Sequence, residues 1–398
     1  MTAAAEGISA IAMLLMAIQL PAVMVLLSRL LKGPTRRRPL QPQAASPALA
    51  ESVSVVVPTL NEAHRIVPCL QGLAQQTEEV REIVVVDSRS TDGTLELVKE
   101  AQADDPRFRP LTDDPLPPDW VGRPWALHYG YTHSSPRSKW VLGIDADTQP
   151  QAGMVAALIA AAEAEDYDLI SLSPRFILQT PGEIWLQPAL LITLVYRFGP
   201  AGAADDGPER VMANGQCFLC RRELLDRLGG YTVAKASFCD DVTLARYAAQ
   251  TGAKVGFWDG ANVFKVRMYE GLKETWREWG RSLDLKDASS RGQVWSDLWF
   301  LTSTQALPLL SLPLLLLNDS PTVQLALGLN LGLLAIRFAL LLAILPSYDL
   351  SQARGKWLFW LSPLADPLAV LRIGLSSFRT PTQWRGRQYD MPGQPVRN

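Results

Sequence analysis

Apolar runs of hydrocarbon length at both ends of the chain, with an ordinary polar block between them, most constrain what it can fold into. From Ile8 to Leu31 no charge occurs before Arg29, and roughly 20 apolar residues suffice to cross a bilayer core of about 30 Å. Pro21 interrupts the run, which a membrane helix tolerates. No basic stretch precedes it and it exceeds the apolar core of a signal peptide, so it is read as an anchor. Lys32, Arg36, Arg37 and Arg38 follow and place this flank on the cytoplasmic side. Leu298–Leu317 and Val323–Leu345 are two further membrane candidates, separated by the turn-like Asn318-Asp319-Ser320-Pro321. Arg337 lies in the second, where a central charge costs about 2.5–3.5 kcal/mol, so it is expected to snorkel or to face a partner. A third stretch, Trp357–Leu375, carries Pro363, Asp366, Pro367 and Arg372 and is read as re-entrant or interfacial. That reading keeps the tail arginines Arg379, Arg385, Arg387 and Arg397 cytoplasmic.

Charge segregates in the same way. The 398 residues carry a net charge of −2. Residues 1–38 and 301–398 together hold 13 Lys/Arg and 5 Asp/Glu, leaving 25 basic and 35 acidic residues in the middle block. A balance of about −10 there argues against a nucleic-acid partner and invites a search for metal-binding carboxylates. With 48% hydrophobic residues the chain is neither collagenous nor disordered. The four cysteines, Cys69, Cys217, Cys220 and Cys239, suit a reducing compartment. Cys217-x-x-Cys220 lacks a matching Cys/His pair, so packing at a strand end is preferred to zinc. The expected organisation is an anchor over 1–38, a linker over 39–50, a catalytic domain over 51–290 with an interfacial helix at 268–290, and a membrane region with a basic tail over 291–398.

Within the polar block, Ser52–Val57, Glu82–Val86 and Trp140–Ile144 are short continuous apolar runs and read as buried parallel strands. Helices are expected from Glu62 to about Gln75, after an N-cap at Thr91 or Asp92, and over 124–134. Strand and helix alternating in this order predict an α/β fold with right-handed crossovers. Ligands in such sheets lie outside the carboxyl ends of the strands. Asp87, Asp145 and Asp147 each fall just past a strand end and should meet in one crevice. A carboxylate there is often only a helix cap, but Asp145-x-Asp147 places two hard oxygen donors where both can reach Mg²⁺ or Mn²⁺. No glycine-rich phosphate loop is present, so a diphosphate would need a metal and basic side chains. In Trp120-Val121-Gly122-Arg123-Pro124-Trp125, Arg123 can fork onto phosphate oxygens, and Trp125 can stack on a sugar, wall a pocket or staple the following helix. His64, His128 and His133 fall in helical or loop segments, and no Ser-His-Asp set is evident.

As a set, Val55–Glu62 (VVVPTLNE), Ile83–Thr94 (IVVVDSRSTDGT), Gly143–Pro150 (GIDADTQP), Asn214-Gly215-Gln216-Cys217 and Cys239–Arg246 (CDDVTLAR) resemble the family 2 glycosyltransferases over roughly residues 52–270. The resemblance implies a GT-A fold: a Rossmann-like, mostly parallel sheet with helices on both faces, here with transmembrane helices at the N- and C-terminal ends. It implies that Asp87 binds a nucleotide base, with Pro58, Asn61 and Glu62 lining the same pocket. Asp145 would contact ribose or metal, Asp147 would hold Mg²⁺ or Mn²⁺, and Asp241 would be the general base. Asp240 stands where Glu is more usual and is either catalytic or structural. Asn214, Gly215 and Gln216 would form the acceptor side.

Met268–Asp284 is expected to be an amphipathic interfacial helix with Trp276 and Trp279 on one face. Arg281 lies close to where lipid glycosyltransferases carry a phosphate-contacting Arg beside Trp. The Gln-x-x-Arg-Trp motif of processive synthases is absent, and the Trp-x-Gly-Arg-x-Trp patch resembles that of carotenoid and hopanoid glycosyltransferases, with Arg123 in place of Lys. Trp384-Arg385-Gly386-Arg387-Gln388-Tyr389 either resembles a tail element of the carotenoid-type relatives or grips anionic head groups. These features together imply a membrane protein with a cytoplasmic catalytic domain. It would be an inverting enzyme that moves a hexose from a nucleotide sugar to a hydroxyl of a lipid, first a hydroxylated carotenoid. Sphingoid, hopanoid and diacylglycerol lipids are alternatives, as are a polyprenyl phosphate, which needs no base, and a non-catalytic membrane partner.

Overall fold

The computed structural model describes residues 2–204, 207–279, 283, 285–378, 383–384 and 387–388. The chain forms two compact units, each assembled from separate stretches: 37–176, 201–268 and 381–398 in one, and 1–36, 177–200 and 269–380 in the other.

In the first unit the apolar runs become strands. They are β1 (Val53–Thr59), β2 (Val80–Asp87), β3 (Phe108–Thr112), β4 (Trp140–Ile144), β5 (Thr148–Pro150), β6 (Leu169–Ser173), β7 (Arg175–Ile177), β8 (Cys217–Arg221), β9 (Val255–Asp259) and β10 (Phe264–Val266). Seven make one mixed sheet in the order β3-β2-β1-β4-β8-β6-β9. β1 is parallel to β2 and β4, and β2 to β3, while β8 runs antiparallel to β4 and β6. Val53, Val55, Val56 and Val57 are all buried, so both faces of β1 are covered, as an unbroken valine-rich run requires. The register sets Thr59 beside Asp87 and Asp87 beside Thr112. Asp145 follows the last residue of β4, so the three strand ends open on one edge. The helix Gly122–His133 lies close against this sheet: a Cβ on Gly130 would come within 2.4 Å of a Val56 methyl.

Two helix starts differ from expectation. Residues 62–66 form a turn, and the helix after β1 begins only at Val67, next to Pro68 in its first turn. Gly93, with φ of +93°, is the N-cap of the helix Thr94–Asp104, a conformation that favours glycine over Thr91 or Asp92. Asp92 still accepts from the Thr94 amide at 3.1 Å.

The second unit is helical. Thr2–Leu30 is one helix through Pro21. Arg291–Leu301, a π-helical turn Thr302–Ala306 and Leu307–Leu315 follow one another, and Pro321–Ile344 is next. The first of these begins seven residues before the expected Leu298 because Ser290 caps it, accepting from the Gln293 amide at 3.2 Å. Among the described residues four stretches are long and apolar enough to cross a membrane: Ala5–Thr35, Arg291–Leu315, Pro321–Ser347 and Lys356–Ser377. The last was expected to be re-entrant. It has the length of a span, but its first half, Lys356–Ala365, is a tight 3₁₀ coil before the helix Asp366–Ser377.

Arg337 and Asp366, the two charges that stood out in apolar sequence, find each other. Arg337 Nε donates to Asp366 Oδ2 at 2.7 Å and Nη2 to Oδ1 at 3.0 Å. Gln19 and Asn330 exchange two amide hydrogen bonds, at 2.9 and 3.1 Å, joining the first helix to Pro321–Ile344. In hydrocarbon such groups must be satisfied internally.

The expected single domain over 51–290 is divided. Residues 177–200 and 269–290 belong to the helical unit. The helix Pro181–Phe198 opens with a capping box between Thr180 and Glu183, and Glu183 also accepts from the Gly271 amide at 2.7 Å. The expected amphipathic helix 268–284 is a single α-turn, Gly271–Glu274, running into a π turn, Thr275–Trp279. The wider π turn separates Trp276 from Trp279. Trp279 is buried, with its ring 6.3 Å from that of Tyr269, while Trp276 is half-buried. They do not form one interfacial face.

Candidate active site

The loops after β1 and β2 are laced together. Asp87, 2% exposed, accepts from the Ser90 amide at 3.0 Å and from Thr59 Oγ1 at 3.3 Å. Asn61 sits at φ +55°. Its amide donates to Ser90 Oγ at 2.8 Å and its Oδ1 accepts from the Thr91 amide at 2.9 Å. The Glu62 amide donates to Thr94 Oγ1 at 2.9 Å, and half-buried Pro58 lies beside Val86. The residues expected to line a base pocket therefore form one rigid rim. A non-glycine residue held in the left-handed region stores backbone strain, which clusters at binding sites.

At the end of β4, Asp145 meets Arg123. Arg123 Nε donates to Asp145 Oδ1 at 2.9 Å, Nη2 lies 2.8 Å from the same oxygen and 2.7 Å from the Gly215 carbonyl, and Nη1 pairs with Asp240. Burial works against the Arg123 charge, but Asp145, Asp240 and Asp241 outweigh it and hold its pKa well above the ordinary value. The guanidinium was expected to face a phosphate; it cross-links two carboxylates and a carbonyl. The close fit depends on Gly215, where a Cβ would fall 2.3 Å from Arg123 Nη2.

Asp240 and Asp241 open the helix Asp240–Gln250. Asp241 Oδ2 accepts from the Gly215 amide at 2.6 Å. Desolvation first, and then the neighbouring Asp240, push the Asp241 carboxyl up to about 7. Asp240 is likewise raised, chiefly by burial. A carboxylate poised near neutrality suits a general base. Asn214 and Gln216 complete the loop: Asn214 Nδ2 donates to Gln216 Oε1 at 3.0 Å, and the Asn214 amide to Ser171 Oγ at 2.7 Å.

Asp147 lies 3.9 Å from Arg65 Nη1, and Arg65 Nε is 3.3 Å from Glu62. Arg65 was not anticipated. Its signal was present in the i, i+3 spacing from Glu62 in a turn that sequence periodicity rendered as helix. Trp125 turns toward other partners: its ring meets Trp120 edge-on at 5.3 Å, and its N–H donates to the Asp114 carbonyl at 3.2 Å. Trp279 belongs to the other unit, and Arg281 lies outside the described residues, as do Arg385 and Tyr389 of the tail motif. All four cysteines are free and buried.

Among the described residues no three His, Cys, Asp or Glu side chains gather into a metal cage. Asp145 and Asp147 are instead two carboxylates on one crevice. That donor set fits a Mg²⁺ or Mn²⁺ ion shared with a substrate phosphate, since such ions are commonly held by one or two carboxylates plus phosphate oxygens.

Residues 54–229 match the family model described as glycosyl transferase family 2. The match covers under half of the chain. Similar curated proteins are the 4,4'-diaponeurosporenoate glycosyltransferases of Staphylococcus haemolyticus, 23% identical over 61% of this chain, and of Staphylococcus aureus, 24% identical over 64% of it. The matches span 64% and 67% of those relatives' own length. Among solved structures, a mannosyltransferase from Pyrobaculum calidifontis, in complex with GDP-Man and Mn²⁺, has a TM-score of 0.55 at 20% identity, covering 93% of this chain and 99% of that one. At that identity the likeness shows the fold alone. The chain thus joins a stretch similar to family 2 glycosyl transferases with apolar helices of membrane-spanning length.

Proposed function

We propose that this glycosyltransferase moves a hexose, with inversion, from a nucleotide sugar to a hydroxyl of a membrane lipid on the cytoplasmic face, with a hydroxylated carotenoid as first acceptor. The observation that carries this reading is the placement of Asp241, near neutral in pKa and bonded to the Gly215 amide, beside the Arg123 cluster that includes Asp145. The four apolar stretches and the carotenoid-acting relatives support the lipid.

The residues divide the work. Asp87, Asn61, Glu62 and Pro58 hold the base. Asp145 and Asp147 hold the divalent ion, which when bound offsets charge on the diphosphate. The acceptor oxygen attacks C1 while Asp241 takes its proton; the C1–O bond to the diphosphate breaks and the electron pair leaves with it. Arg123 and Arg65 place cationic charge where the leaving diphosphate develops its own. A single displacement needs no covalent nucleophile.

The relatives' name favours a second reading, in which the acceptor is a carboxylate of a polyene. An anionic acceptor, like a polyprenyl phosphate, has no proton to lose, and Asp241 would then be dispensable. The test is transfer by purified protein supplied with nucleotide sugar, Mn²⁺ and either lipid. Transfer to the alcohol that disappears in Asp241→Asn supports the hydroxyl reading; transfer only to an anionic lipid, unaffected by the substitution, overturns it.

A further inference from the structure

The helical unit contains polar groups that its own fold leaves unsatisfied. Arg337 Nη1, Gln305 Oε1, Tyr196 Oη and Ser303 Oγ are buried with no hydrogen-bond partner, and none of these residues is more than 2% exposed. Two of them bond one carboxylate. Arg337 grips Asp366 through Nε and Nη2. Gln305 Nε2 donates to Asp366 Oδ1 at 3.1 Å. Tyr196 lies within electrostatic reach of Asp366 and Arg337. Ser303 and Gln305 belong to the π-helical turn Thr302–Ala306, a local widening of the helix that recurs at functional sites. A buried polar group without a partner is costly to a fold. Ionisable groups amid apolar helices mark binding sites unless the pairing uses them up, and here the pairing leaves a donor and an acceptor over, with the Tyr196 hydroxyl in electrostatic reach.

We infer that this cluster is a subsite for an uncharged oxygen function, a hydroxyl, of the lipid substrate. The charge balance decides the class. Asp366 already neutralises Arg337, so a phosphate or carboxylate would enter as an uncompensated anion among apolar helices. A hydroxyl accepts from Arg337 Nη1 and from Tyr196 Oη, donates to Gln305 Oε1 and adds no charge. The inference rests on the reading that the acceptor is a lipid.

The orphan hydroxyls make the test selective, because removing a group with no partner costs the empty fold nothing. Full-length wild type and Tyr196→Phe in detergent are titrated with a hydroxylated carotenoid, the matching hydroxyl-free carotene and a polyprenyl phosphate, reading tryptophan quenching, with thermal unfolding measured in parallel. The expected result is a loss of about fivefold in affinity for the hydroxylated carotenoid in Tyr196→Phe, one hydrogen bond's worth, with unfolding and carotene affinity unchanged. If Tyr196→Phe fails to fold, the wild-type preference for the alcohol over the carotene is read in its place, and equal affinities overturn the inference. Unchanged affinity for the alcohol, as expected if only water fills the cluster, or an equal loss for carotene or the phosphate, overturns the inference. Binding of the nucleotide sugar is measured separately. Its absence with the lipid pattern intact counts against the proposed chemistry and not against the subsite.

Discussion

The Gly215 amide donates to Asp241 Oδ2 at 2.6 Å, while the Gly215 carbonyl accepts from Arg123 Nη2 at 2.7 Å. One peptide segment thus ties the proposed base to the cation that also holds Asp145. Replacing Asp241 by Asn keeps the shape and removes the proton acceptor. Transfer to a lipid alcohol should fall by about 10²–10⁴-fold, the usual contribution of a general base, while calorimetric donor affinity stays within about twofold of wild type.

The pH profile follows from the same carboxyl. Asp241 is raised to about 7 by burial and by Asp240, so its proton-accepting form is scarce below that pH and dominates above it. Single-turnover transfer should rise through about pH 7 and level off. A rate flat from pH 5 to 8 would remove Asp241 from the role.

Asp147→Ala should weaken Mn²⁺-dependent donor binding and leave metal-independent binding unchanged. An unaltered manganese titration would reassign the metal to other groups.

Arg123→Met strands Asp145 and Asp240 without their shared cation. The variant should lose at least about tenfold in kcat/KM, corresponding to about 1.4 kcal/mol. Arg123→Lys should recover only part of it, because an ammonium cannot fork onto two carboxylates and a carbonyl together.

Arg337 and Asp366, each with a side chain 2% exposed, predict an asymmetry in stability. Arg337→Met should cost about 3–5 kcal/mol by leaving a buried carboxylate alone, whereas the double change with Asp366→Leu should recover most of it. Thermal unfolding in detergent reads both.

How much of this was legible varies with the range of the interaction. Trp140–Ile144 has the same bounds in sequence and structure because a run buried on both faces declares itself locally. The turn at 62–66 did not, since it is set by the Glu62 amide reaching Thr94, 32 residues away. Arg123 read as a phosphate contact because nothing local reveals Asp240, 117 residues on. The helix Pro181–Phe198 joins the long apolar helices through contacts no linker announces, although its Thr-Pro-Gly-Glu capping box marks where it begins. Arg337 was legible as needing a partner. That the partner would be Asp366, in a stretch expected to be re-entrant or interfacial, was not.

The most direct test is mass spectrometry of lipids extracted from cells lacking the gene, complemented with wild type or with Asp241→Asn. The account predicts that one hexosyl lipid is present with wild type and missing in the other two, with its unglycosylated alcohol accumulating. An unchanged lipid profile in the deletion, or full restoration by Asp241→Asn, would contradict it.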